Sequence, residues 1–354
     1  MLKDGRATIF ADDLTGACDV SLPFHSAGLS CFVSIGAPVL GQPSADVCVI
    51  DMETRNLDPQ HAYGQTFVHT QRLKLDRGYL AYLKMDSTWQ GNVGYELRAI
   101  HDNRIVDLAI VAPAFPKMGR SVFNGQLLIR GKSDSQLLQE KLRHQGIERL
   151  SHITTRQLEM TVEELLESII DLHTQGINTI TCDATSDEEL STIALLIEKL
   201  TTIYGLSVLP VGSAGLAEHI SGNQSDSDTS RMAIVPSPVI AIIGSENSVT
   251  HDQLDVALRD ELIDELDGNR DGMRICRLRS HAGKHSVIRM TWESQMESAL
   301  AEAMKSWMTS SDFILFCSGG DTAKRVCEIA QAKGIRVLDQ VAPGIAAGTI
   351  YGGM

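Results

Sequence analysis

Short runs of apolar residues alternate with longer segments of helical periodicity through most of the chain. In Val162–Thr174, apolar residues recur every three or four positions, which is typical of a helix with one buried face. Similar segments predict helices at Leu14–Ser26, His61–Leu73, Gly94–His101 and Asp187–Tyr204. The short runs predict strands at Ala7–Phe10, Cys31–Ser34, Val47–Asp51, Tyr82–Met85, Leu108–Ala112, Thr179–Cys182 and Leu206–Pro210. This alternation predicts an α/β fold with a largely parallel sheet flanked by helices.

A polar segment divides the chain into two predicted domains. Residues 223–238 are rich in Ser, Asp and Pro and show little periodicity, so they are predicted to link residues 1–222 to residues 239–354. A length of 354 residues agrees with two domains, since single cores seldom grow beyond roughly 250–300 residues. The second domain repeats the α/β pattern, with strands predicted at Val239–Ile243, Met273–Leu278, Phe313–Cys317 and Ile335–Leu338 and helices at Asp252–Leu262, Trp292–Met308 and Asp321–Lys333. Residues 113–155 fit the pattern poorly and receive no assignment.

Composition narrows the functional classes. The formal net charge of −14 argues against nucleic-acid binding, because phosphate backbones are bound by clustered Lys and Arg. No apolar run approaches the ~20 residues of a membrane span, and the N-terminal segment has too few apolar residues for a signal peptide. Seven scattered cysteines without a Cys-x-x-Cys spacing predict reduced thiols. We therefore expect a cytoplasmic protein that binds neither nucleic acid nor membrane, and a homo-oligomer is compatible with the sequence.

Polar residues follow several predicted strands of the first domain, at the edge where open parallel sheets bind ligands. Asp12 and Asp13 stand between a strand and a helix. One of these carboxylates can cap the helix, and the other is a candidate hydroxyl ligand or general base. The sequence Lys84–Thr88 leads into a glycine turn and is typical of an anion cradle, although an Asp–Lys ion pair with Ser/Thr caps is an alternative. Arg55 and Arg120 add two cations after neighbouring strands, and Arg120 is equally compatible with an exposed loop position.

Glycine-rich turns follow the predicted strands of the second domain. They lie at Gly244–Ser248, Ser318–Thr322 and from Gly344 to Gly348. Such turns let phosphate groups approach backbone N–H groups closely, so several on one sheet predict a nucleotide site. The chain contains no G-x-x-x-x-G-K-[ST] and no G-x-G-x-x-G, which excludes a P-loop and disfavours a nicotinamide-dependent enzyme.

Six segments, in this order, resemble the four-carbon acid sugar kinase family. They are Ala11–Ala17 (ADDLTGA), Lys84–Asn92 (KMDSTWQGN), Pro113–Arg120 (PAFPKMGR), Gly212–Ala217 (GSAGLA), Gly319–Thr322 (GGDT) and Pro343–Gly344. Each segment is unspecific alone, but together they run along the whole chain. The resemblance implies a sugar-acid-binding N-terminal domain and a nucleotide-binding C-terminal domain that face one another across a ligand cleft. It implies an ATP-dependent kinase for erythronate, threonate or 3-oxo-tetronates, with Mg²⁺ bridging the phosphates.

The resemblance also assigns roles to individual residues. The residues that would contact the sugar acid are Asp12, Arg55, Lys84, Met85, Asp86 and Ser87. Those that would contact ATP are Ser245, Gly319, Gly320, Asp321, Thr322 and Gly344. Our hypothesis is that Asp12 or Asp86 orients or deprotonates the accepting hydroxyl, and that Asp321 helps to hold Mg²⁺.

Two features depart from the family pattern. Trp89 and Gln90 replace a Leu-Arg pair, which removes a possible bidentate clamp for an anion. Family members also continue beyond the Pro-Gly turn into a further strand and glycine turn, whereas this sequence ends at Met354 and is short between Ser248 and Ser318. The alternative to an active kinase is therefore a catalytically weak or inactive sugar-acid-binding member of the same family.

Overall fold

The predicted alternation of strands and helices is present in the structure. The computed structural model describes residues 6–37, 42–71, 80–222, 239–244, 248–260, 263–265, 273–278, 286–290, 304, 314–342 and 344–353. The chain forms two compact units: Met1–Arg231 with Gly334–Thr349, and Met232–Lys333 with Ile350–Met354. The predicted linker, residues 223–238, lies outside the described residues, as does the helix predicted at Trp292–Met308 except for Met304.

The first unit is built on a large parallel sheet. Its strands up to residue 212 are β1 (Ala7–Ala11), β2 (Cys31–Ile35), β3 (Val47–Asp51), β4 (Leu80–Lys84), β5 (Leu108–Ala112), β6 (Arg120–Phe123), β7 (Gln126–Ile129), β8 (Lys132–Leu137), β9 (Leu150–Ile153), β10 (Thr179–Cys182) and β11 (Val208–Gly212). All but β6–β8 lie parallel in the order β2-β3-β1-β4-β11-β5-β10-β9. Every residue of β1, β4, β5 and β11 is buried, as expected for a parallel sheet covered on both faces.

Helices follow most of these strands. They are α1 (Leu14–Ser26), α2 (Pro59–Thr70), α3 (Val93–Asp102), α4 (Leu138–His144), α5 (Thr155–Leu158), α6 (Val162–Thr174), α7 (Asp187–Thr202) and α8 (Ala214–Ile220). Capping boxes begin the two longest amphipathic ones. Thr161 and Glu164 satisfy the first N–H groups of α6, and Ser186 and Glu189 do the same for α7. The α/β fold class is therefore confirmed, with α1 and α6 at the predicted bounds.

The segment 113–155, which the pattern left unassigned, contains a small antiparallel sheet. β6 pairs with β7, and β7 with β8. The two hairpin turns are Asn124-Gly125 and Arg130-Gly131, and all four of these residues have positive φ. An Asn-Gly pair between short strands is a strong hairpin signal, because both residues tolerate the left-handed conformation that a tight turn requires. This hairpin was not predicted from the sequence.

The second unit has a smaller mixed sheet. Its described elements are β12 (Val239–Ile243), α9 (Ser248–Arg259), β13 (Ile263–Glu265), β14 (Met273–Leu278), β15 (Ser286–Met290), β16 (Ile314–Ser318) and α10 (Gly320–Ile329). The strand order is β13-β14-β15-β12-β16, with β12 parallel to both neighbours and β14 antiparallel to both of its own. The carboxyl end of β16 leads directly into α10.

Two late strands lie in the sheet of the first unit. β17 (Gly334–Ala342) pairs antiparallel with β2, and β18 (Ile345–Tyr351) lies beside β17 at the sheet edge. The sequence predicted a strand at Ile335–Leu338 but grouped it with the second domain, since pattern alone does not identify a pairing partner. The consequence is that Gly344, in the turn between β17 and β18, belongs to the first unit.

No helix within the described ranges is both long and apolar enough to cross a bilayer. The six cysteines whose side chains are described form no disulfide with one another.

The pairing of β17 with β2 depends on a close approach at Gly334. A Cβ atom there would lie 2.3 Å from Cζ of Phe32 and 2.6 Å from the carbonyl oxygen of Val33. We therefore expect Gly334→Ala to lower the free energy of unfolding by about 1–3 kcal/mol, because the backbone of β2 cannot move away freely. Urea denaturation measures the loss, and hydrogen exchange in β2 localises it.

Gly64 provides the matched control. It lies within α2, where an added Cβ would meet nothing within 4 Å. Gly64→Ala should raise the free energy of unfolding by up to about 1 kcal/mol, because alanine restricts the unfolded chain more than glycine does. Equal effects of the two substitutions would contradict the proposed close packing at β17.

Candidate active site

The candidate site lies at the carboxyl edge of the large sheet, where β1 and β4 are neighbours. Ala11, the last residue of β1, is in register with Asp51 of β3 and with Lys84 of β4, and Lys84 is in register with Gly212 of β11. The next two strands along the chain, β2 and β3, lie on one side of β1, and β4 lies on the other side. This is the switch point at which open α/β sheets bind ligands. The turns predicted to bind the sugar acid therefore begin side by side.

Arg55 is held between two carboxylates at this edge. Its Nε and Nη2 donate to Oδ2 and Oδ1 of Asp12, both at 2.8 Å, and its Nη1 donates to Oδ2 of Asp13 at 2.7 Å. Burial raises the pKa of Asp12, and the fork of Arg55 opposes that rise. Asp13 also caps α1, because its Oδ1 accepts the N–H of Gly16 at 2.8 Å. The two adjacent carboxylates thus fix one guanidinium, and three of its five N–H donors point at them.

Lys84 places a second cation, which is buried, beside the part-buried Arg55. Its side chain is 4% exposed, and its Nζ donates to the carbonyl oxygen of Met85 at 2.9 Å. A side chain at Gly16 would crowd this cluster: a Cβ there would be 2.5 Å from Oδ1 of Asp13 and 3.1 Å from Nζ of Lys84. An ammonium has three donors, so Lys84 retains two for a ligand.

The residues after Lys84 form a tight turn around Asp86. Oδ1 of Asp86 accepts the N–H of Thr88 at 2.8 Å and the N–H of Gln90 at 3.4 Å, and the Thr88 hydroxyl also donates to it. Burial alone would raise the pKa of Asp86, but the bonds from Thr88 and the charge of Arg55 outweigh burial and lower it. No hydrogen bond from a described residue reaches Oδ2. Asp86 is therefore an ionised acceptor with one oxygen available.

A buried acid lies behind Asp12. Glu96, in the first turn of α3, is 1% exposed, and its Oε1 accepts the Thr54 hydroxyl at 2.5 Å. Burial, with the nearby charge of Asp12, raises the pKa of Glu96 to about 8. The side chain is therefore largely protonated at neutral pH, so Asp12 and Asp13, and not Glu96, balance the charge of Arg55 on this side.

These groups border a pocket of about 860 Å³ within the first unit. Four residues predicted to contact the sugar acid line it, namely Arg55, Lys84, Asp86 and Ser87, and so does Gly344, which was predicted to contact ATP. Two other predicted residues do not line the pocket. Asp12 lies behind Arg55, and Met85 is 1% exposed and contributes its carbonyl oxygen to Lys84. The pocket size is typical of small-molecule sites.

One face of α1 forms a wall of the same pocket. The acidic residue of this face, Asp19, was not predicted from the sequence. The lining positions of this helix are Thr15, Gly16, Asp19, Leu22, Pro23 and Ser26. Their spacing of three and four residues identifies a single helical face. A lone aspartate in a helix carries no motif, and only the polar break it makes in an apolar face could have marked it. Lys117, Arg120 and Glu218 complete the charged lining, and Lys117 is paired with Glu218 at 2.6 Å.

The residues that replace the family Leu-Arg pair lie away from the pocket lining. Trp89 is 8% exposed and has a φ of 64°, and Nζ of Lys141 lies 5.9 Å from the centroid of its ring. Gln90 is exposed. The substitution therefore changes the outer side of the Asp86 turn, whereas Asp86 itself keeps its place in the pocket.

The predicted nucleotide turn is present in the second unit. Gly319 follows β16 with a φ of 108°, and Gly320, Asp321 and Thr322 form the first turn of α10. Thr322 is buried, whereas Asp321 is exposed. The N–H of Gly244 donates to the carbonyl oxygen of Ser318 at 3.1 Å, so β12 ends beside this turn. Ser245, the other residue predicted to contact ATP in this unit, lies outside the described residues.

This turn has the features that a phosphate group requires. The N–H groups of the first turn of α10 have no helical acceptor, and the glycine conformation at Gly319 lets a ligand approach the backbone. Mg²⁺ is usually held by one or two carboxylates together with substrate phosphates, and Asp321 supplies one such carboxylate. The donor set therefore fits a nucleotide with its cation.

Two family profiles match the chain. A sugar-binding N-terminal domain matches residues 7–220, and a nucleotide-binding C-terminal domain matches residues 271–354. The first alone covers more than half of the chain.

Curated relatives carry consistent names. The chain is 26% identical to a D-threonate kinase of Salmonella typhimurium LT2, over 97% of this chain and 91% of the relative. It is 25% identical to a 3-oxo-tetronate kinase of Pseudomonas savastanoi pv. phaseolicola, over 95% of this chain and 89% of the relative. A solved structure from Salmonella typhimurium LT2, named as a tRNA synthase, has a TM-score of 0.71 at 19% identity and covers 98% of this chain and 92% of its own. That similarity shows the shared fold alone.

Glu96 makes the stability of the first unit depend on pH. Its pKa in the folded protein is about 8, above the ordinary value of 4.5. Between these pH values the folded state therefore binds more protons than the unfolded state does. Stability from this group is therefore complete below about pH 4.5 and is lost as the pH rises towards 8. We expect Glu96→Gln, which keeps the shape without the charge, to become more stable relative to the wild type at pH 8 than at pH 5. The change should be at least about 1.4 kcal/mol, the free energy of one pKa unit.

Urea denaturation of both proteins at several pH values measures this difference. The acids remote from Glu96 titrate alike in both proteins, so the difference between the two curves reports Glu96 together with its electrostatic effect on Asp12. Parallel stability curves for the wild type and Glu96→Gln would show that Glu96 is ionised in the folded protein.

Proposed function

Because the chain belongs to the four-carbon acid sugar kinase family, we propose that it transfers the terminal phosphoryl group of ATP to a hydroxyl of a four-carbon sugar acid. The observation that carries the proposal is the pocket in which two cations, the part-buried Arg55 and the buried Lys84, lie beside an acceptor, Asp86. D-threonate and 3-oxo-tetronates are the acids in the names of the relatives, and erythronate is a further candidate.

The cations provide the site for the substrate carboxylate. Among the described residues, Lys84 has two N–H donors without an acceptor, and Arg55 has two more beyond its bonds to Asp12 and Asp13. Charge-assisted hydrogen bonds of this kind are about twice as strong as neutral ones. Their burial at the sheet edge reduces screening by water, which favours a small anion over a neutral sugar.

Asp86 and Ser87 provide acceptors and a donor for the substrate hydroxyls. Oδ2 of Asp86 faces no other described donor, and its lowered pKa keeps it ionised, so it can accept a hydroxyl proton in a hydrogen bond and orient that oxygen. Asp12 acts through Arg55: its carboxylate holds the guanidinium fixed and is itself fully engaged. We therefore place Asp86 in contact with the substrate and Asp12 in a positioning role.

The nucleotide is assigned to the glycine turn of the second unit. Gly319, Gly320, Asp321 and Thr322 would bind the phosphates, with Asp321 beside Mg²⁺, and Ser245 and Gly344 remain predicted ATP contacts from the family resemblance. When bound, Mg²⁺·ATP supplies the phosphoryl group and neutralises its charge. Phosphoryl transfer asks the protein chiefly for positioning and charge neutralisation, which the two cations and the Asp86 turn can provide.

Lys84→Met tests the acid site. The substitution keeps the length of the side chain and removes the charge, so we expect kcat/KM for the best acid to fall about 10- to 150-fold, the loss of one charge-assisted hydrogen bond. ADP release is measured with D-threonate, erythronate and a 3-oxo-tetronate in the presence of Mg²⁺·ATP. The acid should also no longer raise the melting temperature of the variant.

Lys132→Met is the control, since Lys132 is exposed and lies outside the pocket. Turnover of sugar acids by the wild type is the expected result. Binding of an acid without any turnover would instead identify the sugar-acid-binding alternative. If the wild type neither binds nor phosphorylates any of the acids, the proposal is refuted.

Gly319→Ala tests the nucleotide turn. A side chain is strained at a φ of 108°, so the turn should distort and Mg²⁺·ATP should bind at least about tenfold more weakly by isothermal titration. Thermal stabilisation by the sugar acid should be unchanged. Gly176→Ala places the same strain at a φ of 92° in the first unit and should leave ATP affinity intact. Equal ATP affinity for the wild type and Gly319→Ala would remove this turn from the nucleotide site.

A further inference from the structure

The carboxylates around the pocket differ in how many hydrogen bonds and ion pairs they form with the rest of the protein. Both oxygens of Asp13 accept hydrogen bonds, from Gly16 and from Thr15 and Arg55, and Glu218 is paired with Lys117. Asp86 has one oxygen engaged by Thr88 and Gln90. Asp19 has no hydrogen bond or ion pair to any residue in the described ranges, although it lines the pocket. A carboxylate without protein partners in a ligand pocket is available to a ligand.

The position of Asp19 on α1 brings it close to the predicted acid site. It lies one helical turn beyond Gly16, where the missing side chain lets Nζ of Lys84 approach the helix. The charged groups that act on it are Lys84 at the end of β4, Glu218 on α8, Asp13 before α1 and Arg120 on β6.

Tyr82, on β4, is a buried residue whose hydroxyl lies close enough to Asp19 to respond to its charge. Its hydroxyl donates to the carbonyl oxygen of Ser213 at 2.6 Å, and burial, followed by the charge of Asp19, raises its pKa well above the ordinary value. The Tyr82 hydroxyl is therefore committed to the backbone and does not act as the acid or base of the pocket.

Asp19 and Asp86 have opposite electrostatic environments. Burial raises the pKa of Asp19; Lys84 and Arg120 oppose the rise, and Glu218 and Asp13 add to it. Hydrogen bonds lower the pKa of Asp86. A general base works best when its pKa lies near the working pH, so of the two carboxylates Asp19 is the better proton acceptor and Asp86 the better fixed anion.

We propose that Asp19 is the general base that takes the proton from the substrate hydroxyl that receives the phosphoryl group. This role rests on the proposed kinase function. Lys84 holds the carboxylate end of the acid, and Asp19, one helical turn further along α1, faces a hydroxyl of the same bound molecule.

The proposed step balances with ATP as the phosphoryl donor. The O–H proton passes to the carboxylate of Asp19, and the hydroxyl oxygen forms a bond to the γ-phosphorus. The bond from that phosphorus to the β–γ bridging oxygen breaks, and ADP leaves with the electron pair. Asp19 then releases its proton to solvent.

The test compares the full-length wild type with Asp19→Asn, Asp19→Glu and Asp171→Asn. Asp171 is an exposed aspartate on α6, outside the pocket, and its change to Asn controls for the loss of one negative charge. ADP release is measured with Mg²⁺·ATP and the acid that the wild type uses best, from about pH 5.5 to 9. For Asp19→Asn we expect kcat to fall about 10²- to 10⁴-fold, KM to change little and the acidic limb of the pH profile to disappear. Asp19→Glu should keep that limb, and Asp171→Asn should behave as the wild type.

The outcomes separate this inference from the proposed function. A wild type without ATP-dependent turnover overturns both, whereas an active wild type with an equally active Asp19→Asn overturns this inference alone. Thermal stabilisation of Asp19→Asn by the acid shows that the variant is folded and binds. If that variant does not fold, Asp19→Glu decides, because moving the carboxylate by one methylene must lower kcat, and an unchanged kcat overturns the proposal.

Discussion

The fork between Arg55 and the two carboxylates that follow β1 is the interaction on which the site depends. Placing a guanidinium at a buried sheet edge is costly unless its N–H groups are bonded and its charge is balanced. Asp12 and Asp13 supply three short bonds, and they can do so because β1 and β3 lie side by side with Ala11 opposite Asp51. Lys84 lies beside Arg55 at a point where Gly16 has no side chain to crowd its Nζ.

The same cluster explains why neighbouring acids have different properties. Asp12, Glu96 and Asp19 are all raised in pKa by burial, but Asp12 is held by Arg55, Glu96 is bonded to Thr54 and Asp19 faces the pocket. Asp86, enclosed by donors, is lowered. One sheet edge thus separates acids that support the cations from acids that can meet a substrate, and environment rather than residue type makes the distinction.

The sequence predicted much of this arrangement for identifiable reasons. Strands such as Val47–Asp51 and Leu108–Ala112 were placed correctly because they are short apolar runs, and Arg55, Lys84, Asp86 and Ser87 line one pocket as expected from strand ends that share an edge. The pairing of β17 with β2 was missed, because a strand pattern does not specify its neighbour. Asp19 was missed because its importance comes from the absence of partners, which only the folded helix reveals.

The sequence has a net charge of −14, yet the protein is expected to bind an anion. The charged residues that line the pocket resolve this conflict. The charged lining consists of Arg55, Lys84, Lys117 and Arg120 against Asp19, Asp86 and Glu218. Glu218 is paired with Lys117, and Asp12 and Asp13 are paired with Arg55, so Lys84 and Arg120 are the lining cations that form no ion pair with a described residue. A sugar acid of about nine non-hydrogen atoms fills only part of a pocket of this size class. Its carboxylate can therefore bind the cations while its hydroxyls reach Asp86 and Asp19, an arrangement that net charge alone would not have suggested.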